Sequence, residues 1–483
     1  MTPFPAMAFF PELVLLAGAL GLFVVTLGNN QGRAARAGAL FVGLVALGAS
    51  IVTLPQSALL FDGAYRVDAF SQWLKIVLCG GYVLTLLLSG NLPDIRSETK
   101  SEYFLFLNLS VLGLVMLVSS VEVLSLVIAL ELSSFPLYLM VAMRREREGQ
   151  RIQMESAVKY IMFGVAANGI MFFGFSYLFG LTGSTHLSDM FAGLAPIAGT
   201  PIAIVALSMA FCGFYYKLAV FPFHFWTPDV YQGASNETAG YIASLPKVGA
   251  VAVLVRLVTL ATPDNHTIAM LLSALAILSM CYGNLIALVQ TDFKRLLGFS
   301  GIAHAGYAVV GFTALGTAGF TAALYYIVGY MLMVTACFVV ICKISKDGTN
   351  VAIEELSGLH RRSPLLAATL LVAVFGLAGI PPFVGFIGKF GLLSAALAKG
   401  HTALVIVTVI NSAIAIYYYL QVVRKGIFGE KQSEGAAPEA ISIGWQAATL
   451  CVLLIVGIVW LGVYPGPIQD AIASSLASVK PPL

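Results

Sequence analysis

The chain has 483 residues, 59% of them hydrophobic and only 10% charged, and its mean hydropathy is +0.92. No water-soluble domain has this composition, so the chain reads as an all-α polytopic membrane protein. Its formal net charge of +3 is a topology signal carried by loops, and nucleic-acid binding is not implied.

Apolar windows of about 20 residues, enough to cross roughly 30 Å of hydrocarbon, predict the spans. Fourteen are expected, at 7–28, 34–54, 72–92, 103–120, 121–143, 155–182, 199–223, 238–262, 267–289, 297–317, 318–343, 364–398, 400–425 and 444–464. The first lacks a basic lead-in and a small-residue cleavage site, so a retained span is expected rather than a signal peptide. Only Ser119, Ser120 and Glu122 separate the fourth from the fifth, and pooling those two would reverse everything downstream. With fourteen spans and the N-terminus outside, the inner loops collect Arg33, Arg36, Arg96, Lys100, Arg144, Arg145, Arg147, Arg151, Lys294, Arg295, Lys343, Lys346, Arg361, Arg362, Arg424, Lys425 and Lys431. The outer segments offer little beyond Arg66, Lys399 and Lys480, which places both termini on the periplasmic side. The run Arg144 to Arg151, interleaved with Glu146 and Glu148, reads as a solvated topogenic loop.

Several charges nevertheless lie inside apolar runs: Glu131, Lys159, Lys217, Lys247 and Lys389. A charge at membrane depth costs at least about 2.5 kcal/mol on insertion scales, so it persists where something uses or pairs it. Burial disfavours ammonium, which makes a desolvated lysine a usable proton carrier, while a neighbouring carboxylate restores the charge. Glu131 with Lys217 is thus expected to be a switchable pair or a static buried ion pair. Protons would pass on to Lys247 and then Lys389. Lys159, one turn into its span, reads as a relay group or as a lysine snorkelling to the interface. His304 reads either as a group titrating between two halves or as a satisfied core histidine. Tyr417, Tyr418 and Tyr419 read as an interfacial aromatic belt, and Arg256, near a span end, as structural.

Prolines fall beside these charges. Pro222 follows Lys217, Gly379-Ile380-Pro381-Pro382 precedes Lys389, and Pro136 and Pro246 lie near Glu131 and Lys247. Proline frees the carbonyl four residues earlier, so unwound backbone there must face protein or water rather than lipid. Lys217 to Lys389 spans 172 residues and Glu131 to His304 spans 173. Those offsets suggest two inverted five-helix repeats. The expected division is a three-helix segment at 1–102, a first repeat at 103–262, a second at 263–425 and a C-terminal helix with a short tail at 426–483.

The six cysteines form no C-x-x-C pair, and neither a Walker A motif nor a strand-led G-x-G-x-x-G occurs. Iron–sulfur, zinc and nucleotide sites are therefore not expected in this chain.

The segments KLAVFPFHFWTPDVYQGA (217–234), LPKVGAV (245–251), QTDFKRLLGFSGIAHAGY (290–307) and LAGIPPFVGFIGKF (377–390) resemble subunit N of bacterial NADH-quinone oxidoreductase, respiratory complex I. The resemblance extends over essentially the whole chain. It implies an antiporter-like, proton-translocating member of the membrane arm, with fourteen helices of which the seventh and twelfth are broken. By motif it places the functional positions on Glu131, Lys217, Lys247 and Lys389, with His304 and Lys159 as supporting relay groups. It further implies that NADH, FMN, iron–sulfur clusters and quinone are bound by other subunits. The partners would be neighbouring antiporter-like and small membrane-arm subunits in the inner membrane. Sister subunit L carries a long C-terminal lateral helix, whereas about nineteen residues follow the last expected span here, and subunit M has glutamate at the position of Lys389. One departure stands out: the family's GAP after DVYQ is replaced by Gly233-Ala234-Ser235 followed by NETAG, so the loop before the eighth span is expected to differ in shape. The other readings are a cation/proton antiporter subunit of an Mrp-type complex, which would show sodium-dependent exchange, and a passive scaffold, in which neutralising the lysines leaves pumping intact.

Overall fold

A computed structural model describes residues 6–28, 32–147, 151–262, 265–345, 347–428 and 440–479. Glu148, Lys346, Lys431 and Lys480, read above as loop or tail charges, lie outside them. In hydrocarbon every amide must be satisfied within its own segment, so the apolar runs close into helices. The N-terminal part comprises α1 (Phe10–Thr26), α2 (Gly32–Val52), a hairpin of β1 (Ala58–Leu60) and β2 (Tyr65–Val67), and α3 (Ala69–Leu88). That antiparallel hairpin was not expected. Asp68 starts α3, accepting from the Ser71 amide while Ser71 Oγ accepts from the Asp68 amide.

Next come α4 (Lys100–Ser119), α5 (Val123–Ala142), α6 (Ile152–Thr182), the short α7 (Leu187–Leu194), α8 (Pro201–Ala210), α9 (Cys212–Leu218), α10 (Trp226–Gly233), α11 (Asn236–Ala243) and α12 (Leu245–Val258). They are followed by α13 (His266–Ala287), α14 (Phe293–Phe312), α15 (Thr317–Ile344), α16 (Leu359–Arg362), α17 (Pro364–Ala378), α18 (Val384–Ala398), α19 (Thr402–Val423), α20 (Trp445–Val463) and α21 (Gly466–Leu476). Among the described residues, twelve helical segments are long and apolar enough to cross a membrane. The remaining expected spans are α14 and the pair α17–α18. α14 fails on composition because it carries Lys294, Arg295, Ser300 and His304, yet it is almost wholly buried between other helices. The α11–α12 span is buried throughout, whereas α1, α2, α6, α19 and α20 leave apolar faces open to lipid.

Two sections of chain share local geometry. Glu122 caps α5 by accepting from the Ser125 amide, and Asp292 caps α14 by accepting from the Arg295 amide. In each case the cap residue also forms an isolated antiparallel bridge, Glu122 with His186 and Asp292 with Ala352. The helix breaks match still more closely. α9 ends with Ala219 in the left-handed region (φ 67°) and the Val220 amide donating to the Tyr215 carbonyl at 2.9 Å. α17 ends with Gly379 (φ 84°) and the Ile380 amide donating to the Phe375 carbonyl at 3.0 Å. Both are Schellman-type ends, in which a positive φ lets the chain turn back onto its last orphan carbonyls. A cis X-Pro bond follows each, at Phe221-Pro222 and Pro381-Pro382. The breaks are thus 160 residues apart, whereas the lysines beside them are 172 apart. Lys217 accordingly lies before its break and Lys389 after its own.

The second break is held by close backbone approach. A Cβ on Gly385 would run into the Gly376 carbonyl oxygen, so only glycine lets the start of α18 lie against the end of α17.

Candidate proton-relay site

On α5, Glu131 lies one turn before Pro136, and its Oε1 accepts from Asn168 Nδ2 of α6 at 2.6 Å. Lys217 of α9 is 4% exposed and aims at the same helix by a different route, donating to Ser133 Oγ and to the Leu130 carbonyl, the latter at 3.4 Å. The expected pair is therefore separated here: both groups meet α5, and each is held by a neutral polar partner. Ser133 leads onward, since its carbonyl accepts from Ser110 Oγ (2.7 Å), which in turn accepts from Tyr241 Oη (2.9 Å) on α11.

Tyr241 lies six residues before Lys247, beyond the turn at Ser244 that separates α11 from α12. Lys247 is 1% exposed. Its Nζ donates to the Gly301 carbonyl of α14 at 3.2 Å and lies 5.2 Å from the centre of the Tyr330 ring. A Cβ on Gly301 would come within 3.1 Å of that ammonium and 3.0 Å of Tyr330 Oη. The glycine therefore leaves room for the lysine to reach the carbonyl.

His304, one turn further along α14, is fully enclosed. Nδ1 contacts Tyr326 Oη at 2.6 Å and Nε2 contacts Tyr419 Oη at 3.0 Å. The Tyr330 and Tyr307 rings lie 4.9 and 5.8 Å from the imidazole. Tyr307 then stands 4.7 Å from Lys389 Nζ. Lys389 reaches back across the break and donates to the Leu377 (3.1 Å) and Ala378 (3.0 Å) carbonyls, the last of α17. Its ammonium thus caps the negative end of that helix, where a positive charge is favoured.

Lys159 differs from the rest. Its side chain is 38% exposed and pairs with Glu155 and Asp229, both at 2.7 Å. Asp229 of α10 also accepts from Arg295 at 3.0 Å. Lys159 and Arg295 consequently clamp α10 between α6 and α14.

The structure departs from the sequence reading at three further points. Tyr418 and Tyr419 are buried, with Tyr418 Oη donating to Asn284 (3.0 Å) and Tyr419 holding His304. Only Tyr417 faces outward, because three consecutive helical residues cannot share one face. Lys294 is 0% exposed and donates to the Ala234 carbonyl at 2.9 Å, so it is more than a loop charge. Two buried ion pairs were not foreseen. Lys75 meets Glu12 at 2.6 Å, and Glu12 also accepts from Tyr65 Oη at 2.5 Å. Arg256 grips both oxygens of Asp68 at 2.9 and 3.0 Å. A lysine inside an apolar run was a signal for Lys75, whereas nothing local names the partners.

A bundle with two broken helices and a file of buried lysines across its middle is the architecture of an antiporter-like, proton-translocating membrane subunit. The family model described as NADH:quinone oxidoreductase/Mrp antiporter, TM, matches residues 120–415. The chain is 65% identical to NADH-quinone oxidoreductase subunit N 2 of Opitutus terrae, covering 99% of both chains. It is 42% identical to that of Solidesulfovibrio magneticus, covering 98% of each. Among solved structures it superposes on a chain of respiratory complex I from Thermus thermophilus with TM-score 0.82 and 29% identity, over 96% of this chain and 99% of that one. A chain of the Mrp complex from Dietzia shares the fold at TM-score 0.86 and 21% identity, over 99% of this chain and 98% of that one. The chain belongs to the family of NADH-quinone oxidoreductase subunit N.

Proposed function

We propose that the chain carries protons across the membrane for an NADH-quinone oxidoreductase through Glu131, Lys217, Lys247, His304 and Lys389, with Lys159 at the entrance. The observation that carries this reading is the file of packed side chains from Lys247 past Tyr330, His304 and Tyr307 to Lys389, with successive ammonium-to-ring or ring-to-ring centre separations of 5.2, 4.9, 5.8 and 4.7 Å. A lysine held by neutral carbonyls and aromatic faces can change charge state without breaking a salt bridge, which would anchor the proton. Residues 103–262 and 263–425 act as two pseudo-equivalent units, each offering a broken helix whose free backbone faces protein. The basic loops face the cytoplasm, and both termini face the periplasm of a bacterial inner membrane. Electrons pass from NADH through FMN and iron–sulfur clusters to quinone in other subunits. Neighbouring membrane-arm subunits complete the proton path. An Mrp-type cation/proton antiporter is the second reading, supported by the shared fold, and the 65% identity to a subunit N favours the first.

Lys389→Met tests the far end of the run. In the assembled complex, proton uptake driven by NADH should fall together with quinone turnover, by about tenfold or more, as expected when a proton-transfer group is removed. Vesicles containing the variant at native-gel levels of assembly provide the measurement. Normal pumping at normal turnover would remove Lys389 from the path.

A further inference from the structure

Glu237 lies on α11 (Asn236–Ala243), and the run above does not use it. Ser235 caps α11 through the Thr238 amide, which places Glu237 in the first turn. Its side chain is nevertheless inside the protein, 3% exposed, and Oε2 has no hydrogen-bond partner. Beside it, the Asn236 Oδ1 is also buried without a partner, while Asn236 Nδ2 donates to the Thr349 carbonyl. Lys294, fully buried on α14, fixes the loop just ahead by its bond to Ala234.

Two helices connect this polar cluster with the relay. Glu237 and Lys247 are ten residues apart on α11 and α12, on either side of the turn at Ser244, and Lys294 lies seven residues, about 10 Å at helical rise, from Gly301, whose carbonyl accepts from Lys247. Outward, the cluster meets the basic loops: Arg144 donates to the Gln232 carbonyl at 2.7 Å and to Asp94 at 2.5 Å, and Asn350 donates to the same Gln232 carbonyl at 3.0 Å. A buried carboxyl whose Oε2 has no hydrogen-bond partner thus sits in the first turn of α11, beside Asn236, which bonds the loop carbonyl of Thr349, and on the helix pair that carries Lys247.

We propose that Glu237 is a proton-loading group for Lys247, with Lys294 as its positioning residue, a role that rests on the proton-relay reading above. The carboxylic acid of Glu237 gives its proton, through intervening water molecules, to the neutral amine of Lys247. The carboxylate and the ammonium that result are reset when Glu237 takes a proton from water at the basic-loop face and Lys247 passes its own to the next group. Charge and protons balance over the cycle, and no redox partner is needed. Lys294 holds the loop of residues 233–236 inward and keeps a positive charge near the carboxylate while it is ionised.

The test uses the whole assembled complex in vesicles. Glu237→Gln removes the exchangeable proton with little change of shape and should lower NADH-driven proton uptake by about tenfold, while Glu237→Asp, which moves the carboxyl back by one methylene, should restore most of it. Lys247→Met, run in parallel, separates the two claims. Glu237→Gln pumping like the parent while Lys247→Met does not would overturn the loading role and leave the relay intact. Normal pumping by both would overturn the relay as well. If the glutamine variant fails to assemble, Glu237→Ala takes its place: a loss of uptake that Glu237→Asp does not share supports the role, and parental uptake by the alanine variant contradicts it.

Discussion

Lys247→Met yields an assembled complex in which proton uptake and linked quinone turnover fall by about tenfold or more. In the proposed path Lys247 is the middle group: hydrogen bonds through Ser110 tie Ser133 on α5 to Tyr241 on α11, the helix just ahead of α12, and the Tyr330 ring beside His304 lies 5.2 Å from Lys247 Nζ. Methionine fills nearly the same volume, so the packing around Gly301 and Tyr330 survives while the proton-accepting nitrogen is lost. Lys247→Arg sharpens the result. Guanidinium keeps the positive charge but does not deprotonate in proteins, so this variant also assembles and does not recover pumping. Recovery of parental uptake by the arginine variant would show that Lys247 supplies a fixed charge only. Native-gel assembly and NADH-driven uptake in vesicles are the measurements.

Arg256→Met has the second large effect, and it falls on stability. The guanidinium is 3% exposed, holds both Asp68 oxygens, donates to the Val118 carbonyl at 3.2 Å and lies 5.0 Å from the Phe70 ring. It therefore ties α12 to the start of α3 and the end of α4. Removing one partner of such a pair strands a buried carboxylate and costs about 3–5 kcal/mol. Asp68→Asn introduced together with Arg256→Met leaves no unpaired charge and recovers most of that loss, because replacing both partners is often near neutral. Thermal unfolding of the purified complex, compared across the two single variants and the double, gives the coupling directly. A single variant as stable as the parent would show that the pair is dispensable.

The features that were readable in the sequence are those written locally. Apolar runs near twenty residues fixed the helices to within a few positions, because a bilayer leaves an apolar segment no other way to satisfy its backbone. Pro222 and Pro381-Pro382 marked the two breaks for the same reason, and the lysines stood out as expensive residues in apolar context. What stayed hidden depends on distance in sequence. Arg256 and Asp68 are 188 residues apart, and no local rule pairs them. Tyr418 and Tyr419 look like a belt until the face that α19 turns inward is known. Lys75 lies three residues inside an expected span, where a buried lysine and a snorkelling one read alike. The matched lysine offset of 172 suggested equivalent positions, whereas the breaks are offset by 160. Lys217 and Lys389 therefore meet their breaks from opposite sides, and the ammonium that caps a broken helix end is Lys389 alone of the two.

The most direct test of the relay is proton uptake by membrane vesicles carrying Lys217→Ala, recorded alongside NADH-driven quinone reduction, with assembly checked on a native gel. Lys217 donates to Ser133 and the Leu130 carbonyl, and among the described residues no ion pair ties it to a carboxylate, so assembly should persist on its removal. Assembled complex with markedly reduced uptake and reduced linked turnover is the result the relay predicts. Full uptake at normal turnover would contradict it and would leave the buried lysines a structural role only.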